Sequence, residues 1–247
     1  MEVVSTIVLI HGGWHGAWCW HKVVAMLEKQ GHRVIAPDLP GHGSDSTAVR
    51  SKPYEMYVPT VCALVENLED RAILVGHSSG GMIITEASRQ MGDRIKGLVY
   101  LSAFLLSPGK TPREAMKMDS ESMLPGCIEI NSTKGVSLIK TQCARSVFYE
   151  DCSEEDAAWA ISQLQPEPLI PAGTASTGIG IDDAPVRVPR FYIECLKDKA
   201  LGPRCQRWMY TESPCDGVYS LCTSHSPFLS APEALTGHLL DIVQRLA

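Results

Sequence analysis

Short aliphatic and β-branched runs alternate with longer stretches of helical spacing from the N-terminus onward. The runs predict strands at Thr6 to Ile10, Arg33 to Ala36, Ala72 to Gly76, Gly97 to Ser102, Arg190 to Leu196 and Gly217 to Leu221, each followed by turn or loop residues. Helical periodicity predicts helices over Trp20 to Gln30, Met56 to Leu68, Ser79 to Met91 and Glu233 to Leu246. Strands that alternate with helices predict an α/β architecture, a mostly parallel central sheet flanked by helices. Between residues 105 and 189 the rhythm breaks into a stretch rich in Met, Pro and Ser, with one helix pattern at Glu154 to Leu164 and no predicted strand. Because this stretch leaves the sheet after one strand and returns at the next, it is expected to be a helical cap inserted after a sheet strand, acting as a lid. Pro166, Pro168 and Pro171 stiffen its exit, and Gly173, Gly178 and Gly180 supply a flexible return. The expected organisation is therefore a core in two parts, 1–104 and 190–247, around a cap at 105–189.

Composition narrows the function. The chain has 247 residues, of which 45% are hydrophobic, enough for a substantial core. A net charge of -6 argues against a nucleic-acid partner, since such proteins gather Lys and Arg on one face. Its apolar runs fall well short of a bilayer span, so no membrane association is expected. The start of the chain, Met1 to Val4, lacks a basic stretch followed by an apolar run, and a cytoplasmic location is expected by default. Nine cysteines without Cys-x-x-Cys spacing are read as mostly buried, reduced thiols, and no metal site is expected.

The chemistry concentrates at Gly76-His77-Ser78-Ser79-Gly80, a Gly-x-Ser-x-Gly sequence lying between a predicted strand and a predicted helix. A serine on so sharp a turn is held in a strained backbone conformation, and glycines two residues away on either side avoid a clash between strand and helix. Ser78 is the expected nucleophile. A serine hydroxyl needs a base, and the order Ser, Asp or Glu, His leaves His225 and His238 after the turn. His238 falls inside a helix pattern. His225 follows the last predicted strand in a loop, Thr223-Ser224-His225-Ser226-Pro227, and is preferred.

The acid that orients this histidine should also follow a strand. Asp198 does, whereas Asp182 and Asp183 lie in the return of the cap and Asp216 precedes the last strand. Negative charge developing on a substrate oxygen needs two backbone donors. They are assigned to the N–H of Ser79 and to the N–H of Gly13 in the loop His11-Gly12-Gly13-Trp14-His15-Gly16. Glycines between His11 and His15 exclude the helix that would make the pair metal ligands, so structural roles are expected for both. Trp14, with Phe148 and Trp159 and the cap residues Met116, Met118, Met123 and Leu124, is a candidate for lining an apolar substrate pocket.

Three segments together, His11 to Trp20, Ala36 to Gly43 and Val75 to Met82, resemble the plant methylesterase and hydroxynitrile-lyase group of α/β-hydrolases. Tyr192 to Trp208 and His225 to Ser230 look closer to microbial carboxylesterases of the pyrethroid-hydrolase kind. The resemblance covers nearly the whole chain and is weakest across the cap. It implies the α/β-hydrolase fold, the Ser78, Asp198, His225 triad, a cap over an apolar pocket, no cofactor and often a homodimer. The lyases of that group carry a threonine after the first-loop histidine and a lysine after the catalytic histidine, where this chain has Gly12 and Ser226. The expected function is that of a serine carboxylesterase acting on a small hydrophobic carboxylic ester through an acyl-enzyme. The alternatives are a lyase of the hydroxynitrile kind and a catalytically slow ligand receptor on the same scaffold.

Overall fold

The computed structural model describes residues 4–47, 54–169 and 186–247. Pro171, Gly173, Gly178, Gly180, Asp182 and Asp183 lie outside them. In chain order the strands of the described residues are β1 (Thr6–Ile10), β2 (Arg33–Ile35), β3 (Ala72–His77), β4 (Ile95–Leu101), β5 (Ile128–Asn131), β6 (Val136–Ile139), β7 (Glu167–Pro168), β8 (Arg190–Cys195) and β9 (Gly217–Leu221). The helices are α1 (His21–Lys29), α2 (Tyr54–Glu66), α3 (Gly80–Gln90), α4 (Pro112–Met118), α5 (Leu124–Cys127), α6 (Thr141–Phe148), α7 (Glu154–Gln163), α8 (Pro203–Glu212), α9 (Pro227–Ser230) and α10 (Pro232–Arg245).

Six strands form one sheet in the order β2-β1-β3-β4-β8-β9, and every pairing in it is parallel. Side chains alternate across a strand, so β1 feeds two cores at once. Ile7 and Leu9 join one cluster with Val23 and Leu27 of α1 and Leu239 and Ile242 of α10. Val8 and Ile10 join another with Val58 and Val61 of α2 and Ile83 and Ala87 of α3. Burial on both faces is what makes these strands read as unbroken hydrophobic runs.

The chain leaves β1 toward β2 on one side of the sheet and later places β3 on the other, so the order reverses between β1 and β3. In open α/β sheets ligands bind beyond the carboxyl ends of the strands at such a reversal. The loops following β1 and β3 meet there.

The segment between β4 and β8 departs from the all-helical expectation. Besides α4 to α7 it holds a three-stranded antiparallel sheet, β5-β6-β7. Its hairpin pairs Ile128 with Ile139 and Asn131 with Val136, and turns through Gly135 at φ 67°. The signal was present, since Ile128-Glu129-Ile130-Asn131 alternates apolar and polar residues and Asn131 and Gly135 bound a turn. The sheet is short and its β5 half exposed, so its hydrophobic signal is weak. Helix α8 was also unanticipated. It buries only Cys205, Gln206 and Met209, too narrow a stripe to mark a mostly polar segment.

Candidate active site

Ser78 stands between the end of β3 and the start of α3 at φ 53°, in the left-handed region that side-chain-bearing residues rarely occupy. The turn is tight enough that a Cβ on Gly76 would come within 2.6 Å of the Gly80 carbonyl oxygen, and one on Gly80 within 2.9 Å of that of Ile10. Only glycine fits either place. The loop after β1 crosses directly over the serine, where a Cβ on Gly12 would lie 2.8 Å from Ser78 Cβ.

That crossing loop is held by its own histidines. His11 Nδ1 lies 2.9 Å from the Gly12 carbonyl oxygen, and Leu39 N–H donates to His11 Nε2 at 3.1 Å. A carbonyl can only accept, so the ring is neutral with its proton on Nδ1. Burial, reinforced by the nearby His42 charge, lowers its pKa to about 4. The same reasoning applies to His15, whose Nδ1–H donates to the Gly13 carbonyl at 2.8 Å while Nε2 pairs with the Tyr149 hydroxyl at 2.8 Å. Burial lowers this pKa to about 3. Trp14, itself at φ 61°, donates its N–H to Glu167 Oε2 at 3.0 Å. The Gly13–Trp14 peptide is thereby pinned at both its carbonyl and its N–H. The Gly12–Gly13 peptide is pinned at its carbonyl alone, which leaves the Gly13 N–H with no acceptor among the described residues. The Ser79 N–H, at the start of α3, has none either.

Asp198 and His225 come from the loops after β8 and β9 and meet in the interior, with His225 Nδ1 2.7 Å from Asp198 Oδ2. Both side chains are almost wholly buried. The carboxylate is well supplied with donors. Oδ1 accepts the N–H of Ala200 at 2.7 Å and of Leu201 at 2.9 Å, and Oδ2 accepts the hydroxyl of Ser102. Ser102, at the end of β4 and at φ 39°, went unremarked in the sequence. A serine directly after a strand buried at all but one position, at the carboxyl edge, was the available clue. His225 is held at its backbone as well, since His77 Nε2–H donates to its carbonyl oxygen at 2.9 Å. Burial, then the proximity of His225, keeps the His77 pKa well below its usual value, which makes that ring a neutral, fixed donor. With Nδ1 engaged by Asp198, the nitrogen left to accept a proton is His225 Nε2. Asp216, the rejected carboxylate, instead accepts the Arg190 N–H at 2.8 Å.

Gly13, Trp14, Ser78 and Ser79 line one cavity of about 310 Å³. Its remaining wall is almost entirely apolar and comes largely from the cap: Met116 and Leu124, with Ile128, Ile130 and Pro168 of the small sheet and Leu169 just after it. Sequence reasoning missed Met82, Phe104 and this sheet surface. Four of its expected lining residues, Phe148, Trp159, Met118 and Met123, stand elsewhere. Trp159 is on the outside of the molecule, 38% exposed, packed edge-on against Trp18 and His21. Phe148 is buried behind the cavity, its ring 5.5 Å from that of His225. Met118 and Met123 are exposed at the surface. The nine cysteines are all free thiols, and no helix among the described residues is long and apolar enough to cross a membrane.

A strained serine under unpaired backbone donors, on the carboxyl edge of a parallel sheet, places the chain in the α/β class of hydrolases. Over residues 7–237 it matches the alpha/beta hydrolase family, to which it belongs. It is 32% identical over 247 residues to the pyrethroid hydrolase of Sphingobium wenxiniae, a match covering 96% of this chain and 87% of that protein. It is 31% identical over 248 residues to methylesterase 2 of Arabidopsis thaliana, covering 95% and 94%. The crystal structure of a pyrethroid hydrolase from Sphingobium faniae shares the fold at a TM-score of 0.82 with 32% identity, over 98% of each chain. Within the family the chain stands among carboxylic ester hydrolases.

Proposed function

We propose that the chain hydrolyses a small hydrophobic carboxylic ester in two steps through an acyl-enzyme on Ser78. The observation that carries this reading is the convergence of Ser78 and the acceptor-free N–H groups of Gly13 and Ser79 on one apolar cavity. Ser78 Oγ attacks the ester carbonyl while His225 Nε2 takes its proton. The Asp198 carboxylate steadies the imidazolium, and the Gly13 and Ser79 N–H groups receive the charge gathering on the carbonyl oxygen. The C–O bond to the alcohol then breaks, and His225 returns the proton to the departing oxygen. Water attacks the acyl group in the same manner, releasing the carboxylic acid and restoring Ser78. At about 310 Å³ the cavity is at the lower end of the range for small-molecule sites, which favours compact esters. Gly12 supports hydrolysis over cyanohydrin cleavage, because a side chain there has no room above Ser78.

The test is turnover of methyl and aryl esters of small apolar acids, with mass spectrometry of protein treated with an organophosphonate. Repeated turnover and a single adduct on Ser78, both abolished in Ser78→Ala, are the expected result. Adduct formation at another serine, a single-turnover burst on every ester, or steady cyanide release from mandelonitrile overturns it.

A further inference from the structure

The apolar wall of the cavity is interrupted by one charged side chain, Glu167 of β7. Its Oε2 is fully engaged, accepting the Trp14 N–H at 3.0 Å and pairing with His42 Nε2 at 2.9 Å. Its Oε1 has no hydrogen-bond partner among the described residues. The carboxylate is close to the reacting centre, since a Cβ on Gly13 would sit 3.4 Å from Oε2. Ser137 also lines the cavity, but its hydroxyl is turned onto the Glu167 carbonyl at 3.3 Å.

A purely structural carboxylate would clamp the cap to the core, and Oε2 alone does that. The clamp is moreover duplicated two residues earlier. Gln165 donates its backbone N–H to the Trp14 carbonyl at 2.9 Å and its side-chain amide to the Gly43 carbonyl at 3.1 Å. Oε1 is surplus to that task, and an acceptor without a protein donor on an otherwise apolar wall is available to a donor carried by a ligand.

We propose that Glu167 Oε1 is a specificity subsite for a hydrogen-bond donor carried by the substrate beside its ester carbonyl, so that the enzyme favours hydroxylated esters and rejects those bearing a carboxylate there. The proposal rests on the ester reading above for its chemistry and on the cavity geometry for its selectivity. A hydroxyl on the acyl carbon next to the carbonyl donates to Oε1 while the carbonyl oxygen faces the Gly13 and Ser79 N–H groups. A carboxylate in that place meets Glu167 as a like charge.

Three esters of one shape test it: methyl phenylacetate, methyl mandelate with a hydroxyl on the α-carbon, and monomethyl phenylmalonate with a carboxylate there. In wild type, kcat/KM is expected to rank mandelate above phenylacetate above phenylmalonate. Glu167→Gln should lower the mandelate-to-phenylacetate ratio about tenfold, the scale of a hydrogen bond to a charged group, and raise the relative rate on phenylmalonate. Gln165→Ala, which loosens the same segment but keeps the carboxylate, should leave the ratio as in wild type. Calorimetric Kd values of the first two esters on Ser78→Ala separate recognition from chemistry, and methyl mandelate should bind more tightly. Equal binding of the two esters there overturns the subsite even if Glu167→Gln does not fold. An unchanged ratio in Glu167→Gln, or an equal shift in Gln165→Ala, overturns it too. Absence of turnover on all three esters with the binding preference intact instead counts against the ester reading and leaves the subsite standing.

Discussion

Asp198 and Gly12 set the sharpest expectations at the scale of single residues. Asparagine at 198 would present an amide where His225 Nδ1 now meets a carboxylate at 2.7 Å, turning the ring to the tautomer that cannot accept the serine proton. Asp198→Asn should cut kcat by about 10³–10⁴-fold, while Asp216→Asn, at a carboxylate that accepts the Arg190 N–H, should stay near wild type in steady-state assays. Comparable losses in both would remove Asp198 from the mechanism. Gly12→Ala places a methyl group 2.8 Å from Ser78 Cβ, a contact the loop relieves only by moving. Since the moving peptide carries the Gly13 N–H, kcat should fall by about 10²-fold, the loss typical of one oxyanion donor. Far-ultraviolet circular dichroism should be unchanged.

At the scale of elements, the two aromatic residues expected in the pocket separate into two tests. Phe148 ends α6 at 1% exposure among Trp14, His15 and His225. Phe148→Ala should cost about 3–5 kcal/mol in urea unfolding through the cavity it leaves. Trp159, on the outer side of α7, should cost about 1 kcal/mol or less beyond its edge-on contacts when replaced by alanine, with substrate preference unchanged. A change of preference in Trp159→Ala would mean that α7 moves onto the substrate. The four inner sheet strands were legible because their burial makes them read as hydrophobic runs, the edge strands β2 and β9 from β-branched and aromatic residues bounded by turns, and β1 and β9 have the bounds read from the sequence. The cap hairpin was not, because β5 is partly exposed and its alternation is confined to four residues.

At the scale of the whole molecule, buried neutral histidines make stability depend on pH. His11 and His15 have folded pKa values of about 4 and about 3, against 6.5 for an ordinary histidine, because burial penalises the charged ring. A histidine with a depressed folded pKa is neutral in the native state where the unfolded chain already binds a proton. The unfolded state therefore gains protons first as pH falls below 6.5, and stability falls with it until the folded values near 4 and 3 are reached. His77 acts in the same direction. His42 opposes them: burial lowers its pKa, but the hydrogen bond and charge of Glu167 outweigh that and raise it, so its contribution is kept at low pH and lost as pH rises through the raised value. Below pH 6.5 the His42 contribution is already complete, so the three depressed groups should lower the stability read from urea unfolding steadily between pH 6.5 and 4, by several kcal/mol in all. His11→Gln should flatten that slope. A flat profile in wild type would mean that these rings are not held neutral in the native protein.

The sequence by itself determined the parallel α/β sheet, because hydrophobic runs and helical periods are local properties of the chain. It determined the serine turn for the same reason, since the glycines that permit it lie within two residues of Ser78. The order of residues along the chain also singled out which carboxylate and which histidine to examine. What it left open is whatever depends on segments far apart meeting. The His77 bond to the His225 carbonyl spans 148 residues, and the Ser102 bond to Asp198 spans 96. The Glu167 bond that takes the Trp14 N–H, leaving that of Gly13 free, spans 153. No periodicity or motif encodes such a pairing, because a hydrogen bond across the fold depends on the relative placement of two loops, and that placement is set only when both cores and the cap have packed.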